Sequence, residues 1–291
     1  MGAQFASTAD FRWAQFDSIA NFKRAQFDSI ANFSGAQFKS DIDFNKVALP
    51  KYLGLSNITR ITNELDLTTA IINSNQICNI NLTGSEIGKF RFRYKRFKLW
   101  FPAEDSIDYE FKASVYQDLL KKQMDEGFTQ SHEILDKEYR EFQYTDGQSQ
   151  YGPLWGHFMN WLDKTWWGYG YDKELVIRNV IIIYLLLSLF NTFMFRHLTV
   201  NVYEAPKINE WRDETKGSKV GEWRNETKGS RVGLFFKSIP FSLFYTAQIF
   251  FGVKFFGERL KYKQNLQGWK IFNLIYFFTI YLGGLVCLAY M

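Results

Sequence analysis

The chain has 291 residues, 46% hydrophobic and 19% aromatic, and its thirty Phe exceed what an ordinary soluble enzyme carries. A formal charge of +5 is only mildly basic, so charge alone points to no nucleic-acid partner. Two cysteines, Cys78 and Cys287, exclude a disulfide framework, while three scattered histidines (His132, His157, His197) and the lack of C-x-x-C spacing give no zinc site and no histidine catalyst.

Residues 14–38, AQFDSIANFKRAQFDSIANFSGAQF, write one eleven-residue phrase twice and begin it a third time. Phe16, Phe22, Phe27, Phe33 and Phe38 fall at steps of 6, 5, 6 and 5, with Phe5 and Phe11 before them and Phe44 after. Such self-similarity signals a stacked architecture. An eleven-residue period would suit a right-handed coiled coil, but Ser, Asn, Asp and Gly fill the gaps where helix formers are needed. Steps that mix odd and even also defeat an alternating strand. A chain that turns a corner every five or six residues fits, with one Phe pointing inward on each side. Ala3, Ala9, Ala14, Ala20, Ala25, Ala31 and Ala36, each two residues before a Phe, would let the corners close tightly. That is a β-solenoid. The pattern A-x-F-x-x, with occasional one-residue insertions, resembles the Phe-centred variety of the pentapeptide-repeat family. The resemblance implies a right-handed quadrilateral β-helix with inward Phe and Ala ladders and one coil per pair of phrases.

After residue 45 the pattern loosens into short apolar pairs, Leu53/Leu55, Leu65/Leu67 and Ile80/Leu82, punctuated by Asn, Thr, Ser and Gly. These are read as irregular coils that carry the solenoid domain to residue 102. Within it, KFRFRYKRFK (89–98) alternates basic and aromatic residues, which predicts a closing strand with one aromatic and one cationic face. Arg91, Arg93 and Lys95 are candidates for lipid-headgroup contact, a solvated basic face being the plain alternative, and nucleic acid is not the expected partner. Residues 103–150 switch to helical spacing. Phe111, Val115, Leu119 and Leu120 form one stripe, Gly127 a C-terminal stop, and Ile134, Leu135, Tyr139 and Phe142 a second stripe, predicting a helical hairpin.

Residues 151–291 are expected to be a membrane α-helical region with two or three spans. The run 271–291 holds 21 residues without a charge, and 179–195 is a second apolar run bracketed by Arg178 and Arg196. At 1.5 Å per residue, the first matches a hydrocarbon core of about 30 Å. Trp166, Trp167, Tyr169 and Tyr171 stand where interfacial anchors are found. The stretch 238–256, with Pro240 and Gly252, could span, lie in the interface or re-enter. Between the runs, EWRDETKGSKVG is followed at once by EWRNETKGSRVG (210–233), read as a tolerated loop duplication.

Phosphate-binding, nucleotide-binding, zinc-protease and serine-hydrolase motifs are all missing, so no catalytic residue, metal or cofactor is expected. Gly168-Tyr169-Gly170 echoes a potassium filter but precedes the first span, and is read as an interfacial turn. WWGYGYDK, YTAQIFFGVKF and LGGLVCLAY look like the membrane region of bacterial pentapeptide-repeat membrane proteins. That resemblance implies a multi-pass protein of the bacterial inner membrane. The expected function is a non-enzymatic, membrane-anchored scaffold whose partners are the lipid bilayer and another protein or a second copy. The alternative is an ion-channel-like subunit, with Thr246 and Gly252 in a re-entrant segment between two spans. The N-terminal domain is expected in the cytoplasm. No signal-like segment opens the chain, and Lys254, Arg259, Lys261, Lys263 and Lys270 mark 254–270 as cytoplasmic, although 197–237 carries eight basic residues of its own.

Overall fold

Every second Phe of the repeat follows an Asp or Asn, and that pair builds one kind of corner. The side-chain oxygens of Asp10, Asn21, Asn32 and Asp43 accept the backbone N–H two residues on, at 2.8–3.1 Å. The carbonyls of Phe11, Phe22, Phe33 and Phe44 then accept from the N–H of Ala14, Ala25, Ala36 and Val47. The third residue of each turn (Trp13, Arg24, Gly35, Lys46) has a positive φ of 55–71°, as a type II turn requires. Corners after Phe5, Phe16, Phe27 and Phe38 are two-residue bends and hold one more residue before the next Phe. Two alternating corner types therefore produce the steps of 5 and 6.

The computed structural model describes residues 2–73, 76–102, 107–146, 152–201, 231–251, 275 and 278–285. The chain divides into two compact units, Met1–Lys164 and Thr165–Met291. In the first, Gln4–Phe5 pairs in parallel with Gln26–Phe27, Thr8–Asp10 with Ile30–Asn32, Gln15–Phe16 with Gln37–Phe38, and Ala20–Asn21 with Ile42–Asp43. Each partner lies 22 residues on, as in Gln4 and Gln26, so two phrases make one coil with four sides. Phe5–Phe27, Phe11–Phe33, Phe16–Phe38 and Phe22–Phe44 stack at 4.8–5.1 Å, one column per side. Neighbouring columns meet edge to face, as in Phe33–Phe44 at 5.6 Å, the arrangement the ring quadrupole favours.

Burial is not uniform along the columns. Phe27, Phe33, Phe38 and Phe44 are fully buried, whereas Phe5, Phe11, Phe16 and Phe22 are half-buried. The first coil has a neighbour on one side only, so its inward Phe are less enclosed than those of the second. Ala9, Ala20, Ala25, Ala31 and Ala36 are buried, while Ala3 at the open end is exposed.

The side that begins with Thr8–Asp10 and Ile30–Asn32 continues through Tyr52–Gly54, Cys78–Asn81 and Phe97–Leu99 as a five-stranded parallel ladder. Its spacing drifts from 22 (Ile30 to Tyr52) to 27 (Tyr52 to Asn79) and 19 (Cys78 to Phe97). Leu53, Leu55, Ile58, Leu65, Ile80 and Leu82 replace Phe in the core there. Residues 89–98 are not one strand, contrary to expectation. A 3-10 turn (Ile87–Lys89), a short strand (Phe90–Arg91), a second 3-10 turn (Tyr94–Arg96) and the strand Phe97–Leu99 follow one another around a coil. The facial segregation holds: Phe90, Phe92 and Tyr94 are buried, while Arg93 and Lys95 are exposed.

The helical hairpin is α1 (Tyr109–Asp125) and α2 (Thr129–Thr145). Asp108 caps α1 by accepting from Phe111 N–H at 2.8 Å. At the other end Gly127 takes φ 70°, its N–H bonds Met124 O and the Phe128 N–H bonds Gln123 O, both at 2.9 Å, which is a Schellman stop. The buried stripe of α1 is Ala113, Val115, Tyr116, Leu119 and Gln123; Phe111 is exposed instead of buried. Val115, Tyr116, Leu119 and Leu135 belong to the same core cluster as the Phe columns. The change at residue 102 is thus one of secondary structure, and the hairpin completes the solenoid's core. Helix α3 (Pro153–Trp166) follows, its Asp163 accepting from Tyr144 OH at 2.8 Å.

In the second unit, Gly168–Gly170 forms a 3-10 turn, as expected, with positive φ at all three residues. It leads into α4 (Lys173–Asn201), and α5 (Arg231–Phe250) packs against α4. Residues 238–250 thus lie in one continuous helix through Pro240. Of the run 271–291, residues 275 and 278–285 are described and helical. Gly284 sits so close to the Phe250 carbonyl that any Cβ would overlap it.

Candidate functional site

Between α4 and α5 the usual polarity of a protein interior is reversed. Ile177, Ile181, Ile182, Leu185, Leu186, Leu189, Phe190 and Phe193 on α4 are exposed, Leu186 to 60% and Phe193 to 69%. The buried side carries Ser188, Asn191 and Thr192, facing Ser238, Ser242 and Thr246 of α5, all below 9% exposure. Asn191 Nδ2 donates to Thr246 Oγ1 at 2.6 Å, and that hydroxyl donates to Ser242 O at 2.8 Å. Tyr184 OH donates to Leu243 O at 2.8 Å, and Thr192 Oγ1 to Ser188 O at 2.9 Å. An apolar patch of Val176, Val180, Tyr245, Ile249, Phe250 and Ile280 continues the contact. Lys173–Met194 is long and apolar enough to cross a bilayer, the one such helix among the described residues.

The Phe ladder is the part of the sequence-derived site that the structure assembles most fully. Thr246 is buried in the helix pair, and Gly252 lies outside the described residues, as do residues 210–230 of the duplicated stretch. Arg91 and Arg93 both turn to the hairpin. Arg91 Nε reaches Glu126 Oε2 at 2.9 Å, and the Arg93 guanidinium lies over the Phe128 ring at 5.5 Å. Lys95 is exposed to solvent. Among the described residues no group of three or more His, Cys, Asp or Glu is placed to hold a metal ion.

Sequence reasoning missed the junction between hairpin and solenoid. Glu138 Oε2 accepts from Tyr94 OH at 2.8 Å, and Oε1 accepts from Tyr116 OH at 3.0 Å and Leu99 N–H at 3.2 Å. Burial raises the Glu138 carboxyl above its ordinary value, even though both phenols, Lys98 and the backbone pull it down. Tyr94 and Tyr116 are both pushed up, first by burial and then by the Glu138 charge. The signal was available, because Glu138 shares a helix face with Leu135 and Phe142 at the i, i+3 and i, i+4 spacings of a buried stripe. A second clamp joins Lys122 Nζ to Glu64 at 2.7 Å, Glu126 at 3.1 Å and Gly88 O at 3.0 Å. Gln123 Nε2 donates to Phe92 O at 2.9 Å. Burial pushes the Cys78 thiol up to about 12, which makes it a core side chain without nucleophilic character.

The stacked, 22-residue coils with Phe columns invite comparison with known repeats. Residues 2–48 match the family model for pentapeptide repeats. The model is described as nine copies, and the match ends close to where the Phe columns give way to aliphatic coils. No curated protein and no solved structure matches the chain.

Proposed function

We propose that this chain is a membrane-anchored pentapeptide-repeat protein that presents its solenoid and hairpin as an interaction platform beside the bilayer. The observation that carries the membrane reading is the inverted helix pair. In water an apolar outer face on α4 is costly; in lipid it is the solvent-matched face, while small hydroxyl and amide side chains join the helices inside. Helix α4 alone contributes 22 residues of suitable composition, about 33 Å at 1.5 Å each. The pentapeptide repeat of residues 2–48 supports a scaffold role. In this reading the N-terminal unit and the basic segment 254–270 share the cytoplasmic side.

Retention of the full chain in membranes through a high-salt wash and an alkaline wash tests the reading. Quantitative release into the soluble fraction overturns it. A pore built on a re-entrant 238–256 is less well supported, because residues 231–250 run as one helix and Thr246 is spent on Asn191 and Ser242.

A further inference from the structure

Helix α3 places four large apolar side chains in water: Leu154 is 89% exposed, Trp155 57%, Phe158 47% and Trp161 58%. At about 100° per residue they occupy one arc of about 120°. Trp155 and Phe158 rings lie 5.3 Å apart, and Phe158 and Trp161 rings 6.1 Å apart, so the aromatics form a continuous ridge. The opposite side of α3 is already used: Gly156 and Asp163 are buried, and Asp163 accepts the Tyr144 hydroxyl. His157 and Lys164 lie exposed on the polar flank.

The end of α3 is tied to the start of the apolar helix. Asn179 Nδ2 of α4 donates to Thr165 O at 2.6 Å and to Trp166 O at 3.2 Å, capping the last carbonyls of α3. Only residues 167–172 separate the two helices. Trp and Phe ridges with polar flanks suit the boundary between headgroups and acyl chains, where an amphipathic helix settles about 5–10 Å deep.

We infer that α3 lies in the membrane interface, with Leu154, Trp155, Phe158 and Trp161 inserted among the lipids that α4 crosses. The inference rests on the membrane reading of α4. It makes α3 a second lipid contact beside α4.

The test uses the full chain with Cys287→Ser, since Cys78 is buried and unreactive. Single cysteines at Leu154, Trp155, Phe158 or Trp161 carry an environment-sensitive fluorophore in phosphatidylcholine–phosphatidylglycerol proteoliposomes. Cysteines at His157 and Lys164 report the polar flank, and Leu186→Cys reports the span. Spin-labelled lipids with the quencher near the headgroup should quench the four ridge positions about twofold or more beyond the two flank positions. Leu186 should be quenched by lipids labelled deeper in the chain. Water-like ridge labels beside a lipid-quenched Leu186 overturn the inference and leave the membrane reading intact. A water-like Leu186 removes both. Blue-shifted ridge labels that no spin-labelled lipid quenches place protein there, a second copy or a partner, and also overturn it. Leu154 contacts least, so its label keeps the test valid if an aromatic replacement perturbs the fold.

Discussion

Trp13, Arg24 and Lys46 hold left-handed backbone without being glycine. A side chain there costs roughly 1–2 kcal/mol, and glycine returns part of that gain through its more flexible unfolded chain. Arg24→Gly and Lys46→Gly are each expected to stabilise residues 1–146 by about 0.5–1 kcal/mol in urea unfolding. Gly35→Ala should act in the opposite direction, because φ is 71° there and an added Cβ would strike the Trp13 ring. Destabilisation by both Arg24→Gly and Lys46→Gly would rule out turn strain at these corners. The Asp/Asn before alternate Phe was visible in the sequence; its meaning was not, because only the backbone shows which residue takes positive φ. Glu138 makes a second residue-level prediction. A carboxyl whose folded pKa is raised binds more protons when native, so its contribution is full below the unfolded value, near 4.5. It is lost as pH rises through the raised folded value. Stability of residues 1–146 should therefore fall as pH rises from the unfolded value towards the raised folded one and level off beyond it, and Glu138→Gln should flatten that slope. Glu138→Ala, which strips the Tyr94 and Tyr116 hydroxyls of their acceptor and leaves Leu99 N–H to Tyr94 OH alone, should cost about 2–4 kcal/mol at any pH.

Whole phrases obey different rules from single residues. Phe33 is enclosed by coils on both sides, so Phe33→Ala should cost roughly 3–5 kcal/mol. Phe16, half-buried in the first coil, should cost about half as much, and exposed Asp28→Ala about 0.5 kcal/mol or less. Deleting residues 25–35 brings Gln15–Phe16 and Ile19–Asn21 to the positions where Gln26–Phe27 and Ile30–Asn32 meet Ala48 and Tyr52–Gly54. The incoming residues are nearly identical, so the shortened solenoid should still melt cooperatively. Deleting only 25–29 puts a bend where a type II turn is needed and should abolish that cooperative transition. The period was legible because identical corners demand identical residues. The irregular coils were legible only as coils: insertions between Tyr52 and Cys78 break the spacing, and alternation in 89–98 looks the same for a strand and for a corner of a coil. The seam between α4 and α5 was hidden for another reason. Ser and Thr within an apolar run reveal nothing until a second helix supplies Asn191 with Thr246. Asn191→Leu should loosen that pair by about 1 kcal/mol, read as a lower melting temperature in mild detergent.

At the scale of the molecule, the solenoid and hairpin stand or fall together. Open ends are the weak point of any stacked array, since a terminal repeat buries only one face. The hairpin closes one end: Tyr94 and Leu99 bond Glu138, the Phe92 carbonyl bonds Gln123, and Leu119 and Leu135 are buried in the shared core. A fully buried apolar side chain is worth about 1.5–3 kcal/mol, so Val115, Tyr116, Leu119 and Leu135 together contribute on the order of 6–12 kcal/mol, comparable to a whole domain's stability. The sequence marked the hairpin by its helical period, yet a boundary drawn at residue 102 cuts through this core. Residues 1–102 produced alone should therefore be far less stable than residues 1–146, with earlier loss of structure in urea and exposed apolar surface that binds a hydrophobic dye. Residues 1–146 should unfold in one transition, with circular dichroism of the helices and fluorescence of Trp13 and Trp100 changing together. Separate transitions for helix and solenoid would show that the hairpin is a neighbour of the stack and not its cap. Arg91→Ala and Lys122→Ala provide the finer check. Arg91 through Glu126, and Lys122 through Glu64 and the Gly88 carbonyl, hold the hairpin against the last coils, so each should lower the midpoint of the single transition without splitting it.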